Sequence, residues 1–133
     1  MKYLLDTDIC IELIRRRSPA LLEKLTAFSP EEIGVSAITV AELQFGAQRS
    51  SQPQRNLEAL ELFLLPLTIV DFDFDAATRS GGLRSDLEMR GQPIGPYDML
   101  IASQALSLEL TLVSNKTREF SRVTGLRIEN WLT

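Results

Sequence analysis

Acidic side chains stand at four separated points of this 133-residue chain, each in a setting that could serve chemistry. The opening run MKYLLDTD sets Asp6 and Asp8 directly after a short apolar stretch. Glu42 lies in ITVAELQFGA, Asp98 follows GQPIGPY, and Glu119 lies in SNKTREF. The chain has no histidine and one cysteine, Cys10. A zinc site of nitrogen and sulfur ligands, imidazole acid–base catalysis, and Ser–His or Cys–His nucleophilic pairs are therefore excluded. Hydrolysis on such a chain must rest on carboxylates, hydroxyls, amines and a hard cation, and oxygen-only ligation points to Mg²⁺ or Mn²⁺. A divalent ion removes the repulsion between gathered acids and activates water for phosphodiester cleavage.

For these acids to meet, the elements carrying them must end on one edge. Short apolar runs predict strands at Lys2–Leu5, Ile33–Ser36, Leu67–Val70, Leu110–Val113 and Leu126–Glu129. Between them the pattern is helical. Ile9, Cys10, Leu13 and Ile14 recur at helical spacing over Asp8–Arg16, and Ser18-Pro19 supplies a cap and a first helical residue. Further helices are expected within ITVAELQFGAQRS (Ile38–Ser50), where Gly46 could act as a terminator, before Pro66, over 73–90 and from Tyr97 to Leu108, with a short one after SNKTREF begins. Gly81-Gly82 weakens the 73–90 pattern. Strands alternating with helices indicate an α/β fold: a mostly parallel sheet of about five short strands flanked by helices. Ligands of such sheets bind beyond the carboxyl ends of the strands. Asp6, Glu42, Asp98 and the Asn115–Glu119 segment all fall there.

Bulk properties set the frame. One domain over 1–133 is expected from the length. No apolar run reaches the ~20 residues that span a bilayer, no secretory leader is apparent, and one cysteine suits a reducing compartment, so the cytoplasm is the expected location. The net charge of −4 argues against unspecific nucleic-acid binding, although the arginines are clustered.

Each acid also has an ordinary explanation. Asp6, Thr7 and Asp8 suit the capped, acidic start of a helix; Glu42 suits a helix surface, and Asp98 a first helical turn. Arg15, Arg16 and Arg17 complement a helix C-terminus, and at about 100° per residue they cannot all face one phosphate track. Arg84, Arg90 and Arg118 are further cations that the sequence alone does not place.

Longer motifs add to this reading. MKYLLDTDICIELI, ITVAELQFGA, SSQPQRNLEALELF, GQPIGPYDMLIASQALSLELTLVSNKTREFSRV and GLRIENWL resemble the VapC-type toxins of the PIN-domain family over essentially the whole chain. The resemblance implies a PIN-like fold, a Mg²⁺-dependent ribonuclease with Mn²⁺ as a substitute, a VapB-type antitoxin as partner, and a homodimer. The members it resembles most are endonucleases cutting initiator tRNA in the anticodon stem-loop. Residue by residue, Asp6 matches the first family acid, Glu42 the second and Asp98 the third. Asp6 and Asp98 are then expected as direct metal ligands, with Glu42 on the metal or its water shell.

Two positions depart from the family pattern. Asp8 stands where relatives commonly carry Asn. Lys116 stands where the family often supplies a fourth acid or amide. Its ammonium could neutralise the acidic cluster, or turn outward with Arg15 and Arg118 to hold the RNA backbone. Glu119 is expected to restore the missing carboxylate; its ordinary alternative is an ion pair with Lys116 or Arg122. An active enzyme is the main expectation, and a weakened PIN domain acting by RNA or antitoxin binding is the alternative. A phosphoaccepting receiver domain, with Asp6, Asp8 and Lys116 in its acidic pocket, is a third reading, which the DFDFD run after Val70 supports poorly.

Overall fold

The computed structural model describes residues 1–132. Within them β1 (Tyr3–Leu5), β2 (Ile33–Ser36), β3 (Thr68–Val70), β4 (Thr111–Val113) and β5 (Ile128–Glu129) form one parallel sheet, ordered β3-β2-β1-β4-β5. Parallel neighbours need crossovers. Here these are supplied by α1 (Thr7–Arg15), α2 (Pro19–Thr26), α3 (Ala37–Gln48), α4 (Pro53–Leu64), α5 (Phe74–Met89), α6 (Pro96–Ser107) and the single turn α7 (Thr117–Phe120). The expected α/β architecture is observed. The receiver alternative is not: that fold orders its strands 2-1-3-4-5, whereas β1 here lies between β2 and β4.

Strand side chains alternate between faces, so consecutive residues feed different cores. Leu4 and Leu112 join Leu83, Leu87, Ile101 and Phe120 on the side of α5 and α6. Leu5 and Val113 join Ile9, Leu13, Leu21 and Leu43 on the side of α1 to α4. Tyr3, Phe28 and Trp131 close the second core, with ring centroids 4.7–5.5 Å apart.

Helix boundaries follow local chemistry. Ser18 caps α2 through the Leu21 amide, with Pro19 at its first position. Asp73, the middle acid of DFDFD, accepts from the Ala76 amide and caps α5. Gly81-Gly82 does not interrupt α5, which is held by that cap and by buried Leu83 and Leu87. The arginine triplet divides. Arg15 closes the last turn of α1, Arg16 adopts the left-handed conformation (φ 53°) that ends it, and Arg17 pairs with Glu12 at 2.5 Å. This is the helix-end role for Arg16 and Arg17.

One buried polar staple holds the strand ends. Gln104 of α6 accepts from Ser36 Oγ and donates to the Val70 and Asp71 carbonyls, each at 3.2 Å. While the Asp71 carbonyl lies nearer the surface, Gln104→Leu would remove the acceptor of the buried Ser36 hydroxyl and the side-chain donor to the buried Val70 carbonyl. It is expected to cost about 2–4 kcal/mol in urea unfolding, with an unchanged m-value.

Candidate active site

The strand order reverses direction at β1. The chain steps from β1 to β2 and β3 on one side, then crosses to β4 and β5 on the other. A crevice beyond the carboxyl ends opens at such a switch point. The register pairs Leu5 with Val113, so the next residues, Asp6 and Ser114, emerge side by side. The Asp6 amide donates to the Val113 carbonyl at 3.0 Å, and Ser114 Oγ donates to Asp6 Oδ2. Asp6 Oδ1 accepts from the Ile9 amide at 2.9 Å, so the residue is also the N-cap of α1. The capping role is therefore real, and it fixes the carboxyl group's direction.

Asp6 as a whole is 2% exposed. Burial pushes its pKa up to about 6, and Asp8 adds to the shift; the Ser114 and Ile9 hydrogen bonds and Lys116 oppose it. A buried acid that retains a strong claim on a proton is poised to exchange it for a metal cation.

Two further acids share a cation with this neighbourhood. Asp98, in the first turn of α6, accepts from Lys116 Nζ at both carboxylate oxygens, 3.3 Å each. Asp8 lies 3.7 Å from the same ammonium. Burial works against the Lys116 charge, but Asp98, Asp8 and Asp6 outweigh it and raise the pKa. Lys116 thus points into the acidic cluster, not outward to solvent.

Glu42 approaches through a relay. Thr7 Oγ1 donates to Glu42 Oε1 at 2.6 Å and lies 3.2 Å from Thr39 Oγ1, which ties α1 to α3 directly beside Asp6. Three carboxylates facing one ammonium leave two negative charges, the charge of a divalent ion. The carboxylates and hydroxyls bonded around Asp6, Asp98 and Glu42 offer oxygen donors, which suit a hard cation. Among the described residues, no three Cys, Asp or Glu side chains form a ready cage. The donor chemistry fits such an ion, with Lys116 Nζ standing between Asp98 and Asp8.

The chain and its fold have known relatives. The PIN domain family matches residues 3–126. The chain is 46% identical to Ribonuclease VapC2 of Haemophilus influenzae over 134 residues, 99% of each chain. It is 40% identical to a tRNA(fMet)-specific endonuclease VapC of Shigella flexneri over 131 residues, 98% of each. The protein belongs to the PIN-domain family, in its VapC branch. The crystal structure of DNA-bound VapBC from Salmonella typhimurium superposes with a TM-score of 0.95 at 40% identity, covering 98% of each chain. Nucleases of the PIN family generally use a divalent metal.

In this PIN domain the remaining expected residues lie further out. Glu119, on α7, is half-buried and makes no ion pair with Lys116 or Arg122 among the described residues. Arg122 instead donates to the Pro93 carbonyl. Arg118 is exposed beside it. Arg15 is exposed too, and lines a groove with Ile11, Ile14, Leu43 and Glu42. Ser114 and Thr39 escaped the sequence reading, and Thr7 entered it only as part of a helix start, because hydroxyls carry no pattern until the register sets them beside an acid. For Ser114 the signal was its place immediately after a strand, level with Asp6. Cys10 is fully buried and its thiol pKa is pushed well up, so it is not a nucleophile. No described helix is long and apolar enough to cross a membrane.

Proposed function

We propose that this protein is the toxin of a type II toxin–antitoxin pair, a Mg²⁺-dependent endoribonuclease that cuts initiator tRNA in the anticodon stem-loop. The observation that carries the proposal is that Lys116 pairs with Asp98 and Asp8 beside the buried Asp6, at the switch point of a PIN sheet. The substrate follows the tRNA(fMet)-specific relative, and a VapB-type antitoxin follows the VapBC complexes among the solved neighbours. A homodimer and a cytoplasmic location complete the reading.

Asp6 and Asp98 would hold the divalent ion through carboxylate oxygens, with Glu42 on the ion or its water shell. Mn²⁺, which accepts the same donors, is the expected substitute. The bound ion supplies Lewis-acid stabilisation of the phosphate and lowers the pKa of water. Ser114 and the Ile9 amide keep Asp6 aimed along one direction, so little reorganisation is needed during reaction. Thr7 holds Glu42 so that its free oxygen can accept a proton from the attacking water. Glu119 supports the cluster from α7. Arg15 and Arg118, both exposed, supply cations for the RNA backbone; their contribution weakens as salt rises.

Lys116 favours a second reading, a PIN domain with weakened catalysis that acts by binding RNA or antitoxin. One assay separates the two. Antitoxin-free protein incubated with a tRNA pool is expected to give discrete products with Mg²⁺ or Mn²⁺ and none with EDTA. Folded protein that cuts nothing under either cation would leave the binding role.

A further inference from the structure

Lys116 is the one residue of the acidic cluster whose charge opposes the proposed chemistry. Its Nζ sits equidistant from both Asp98 oxygens, on the axis where a cation bound by that carboxylate would lie. It also reaches Asp8, and its side chain remains 38% exposed, which leaves an open path into solvent. The residue is not free to drift. Its backbone amide donates to Ser114 Oγ at 2.9 Å, and that same hydroxyl donates to Asp6. The lysine is therefore rooted at the Asp6 site, while its tip is held only by two carboxylates.

We propose that Lys116 is a tethered counter-cation that occupies the Asp98–Asp8 side of the site and must be displaced before a divalent ion binds there. Resting on the metal-site reading above, this assigns the lysine a competitive role toward the ion. In the metal-free protein the ammonium screens acids that would otherwise repel one another. On metal entry the two cations contend for the same oxygens, since like charges a few ångströms apart repel. The displaced side chain, four carbons long and already part-exposed, then faces the crevice where a phosphate would lie.

The test is titration calorimetry of antitoxin-free protein with Mn²⁺, comparing wild type, Lys116→Asn, Lys116→Arg and Asp98→Asn. Lys116→Asn is expected to bind Mn²⁺ about tenfold more tightly, a difference of about 1.4 kcal/mol. Lys116→Arg, which keeps the charge, should stay near wild type. In EDTA, Lys116→Asn should melt below wild type because the acids lose their screen. Equal or weaker Mn²⁺ binding by Lys116→Asn overturns the proposal, as does equal tightening in Lys116→Asn and Lys116→Arg, which would make shape the cause. Binding that is absent in wild type and in both lysine variants overturns the metal-site reading as well. Binding that persists unchanged in Asp98→Asn removes the shared oxygens on which the competition depends.

Discussion

Asp6→Asn is expected to abolish cleavage and, in metal-free protein at pH 8, to make the fold more stable. The first effect follows from the loss of a charged ligand whose direction is fixed by Ser114 and the Ile9 amide. A drop of about a thousandfold or more is expected for a group acting on the reacting centre. The second effect comes from burial. The Asp6 pKa stands at about 6 in the folded chain against 3.8 in the ordinary state, so the folded protein binds the proton more tightly. The stability linked to that proton is complete below pH 3.8 and is lost as the pH rises through about 6. Above that window the ionised carboxylate costs the fold on the order of 2–3 kcal/mol. Asn lacks the charge yet can still cap α1. Thermal melts in EDTA should show the variant gaining several degrees at pH 8 and nothing at pH 4. Saturating Mn²⁺ should reverse the order, because an ion that binds only the folded wild type stabilises it by mass action. A variant no more stable than wild type at pH 8 in EDTA would mean that Asp6 is not held as a desolvated anion.

The architecture was readable because its signals are local. The Ile33–Ser36 strand, the Ser18-Pro19 helix start and the stop before Pro66 all depend on neighbouring residues, and all appear where the pattern puts them. Where periodicity weakened, packing decided: α5 runs through Gly81-Gly82 because Asp73 caps it and Leu83 and Leu87 are buried. β1, β3, β4 and β5 all begin inside the apolar runs that mark them, since inter-strand pairing and not hydrophobicity sets strand length.

The placement of Asp6, Asp98 and Glu42 at one edge was likewise legible, because a topological rule turns strand ends into neighbours. What the sequence did not carry was direction. Lys116 has a long flexible side chain, and its two expected orientations differ only in which distant group it meets. Asp98, 18 residues away, meets it only once α6 docks against the sheet. The Thr7–Glu42 bond is of the same kind, joining residues 35 positions apart. Glu119 is a different case: of its two expected roles, the ordinary one, an ion pair with Lys116 or Arg122, is not formed among the described residues.

Asp98→Asn should be as inactive as Asp6→Asn, with cleavage down by about a thousandfold, yet its stability should move the other way. Asp98 is half-buried at the start of α6, where a negative charge favours the helix dipole, and its partner ammonium is part-exposed. Removing its charge takes away the dipole interaction and a screened ion pair, a loss of about 1 kcal/mol. It also leaves Lys116 with only Asp8 and the more distant Asp6, so the lysine pKa should fall back from its raised value. The two inactive variants would then differ in sign when melted in EDTA at pH 8: one above wild type, one below. A common loss of activity with opposed changes in stability cannot come from general misfolding. It would locate the defect in the chemistry, with Asp6 as the acid that burial strains and Asp98 as the acid that Lys116 already satisfies. Two variants that lose stability together would instead make both acids structural, and would return the weight to a PIN domain that binds without cutting.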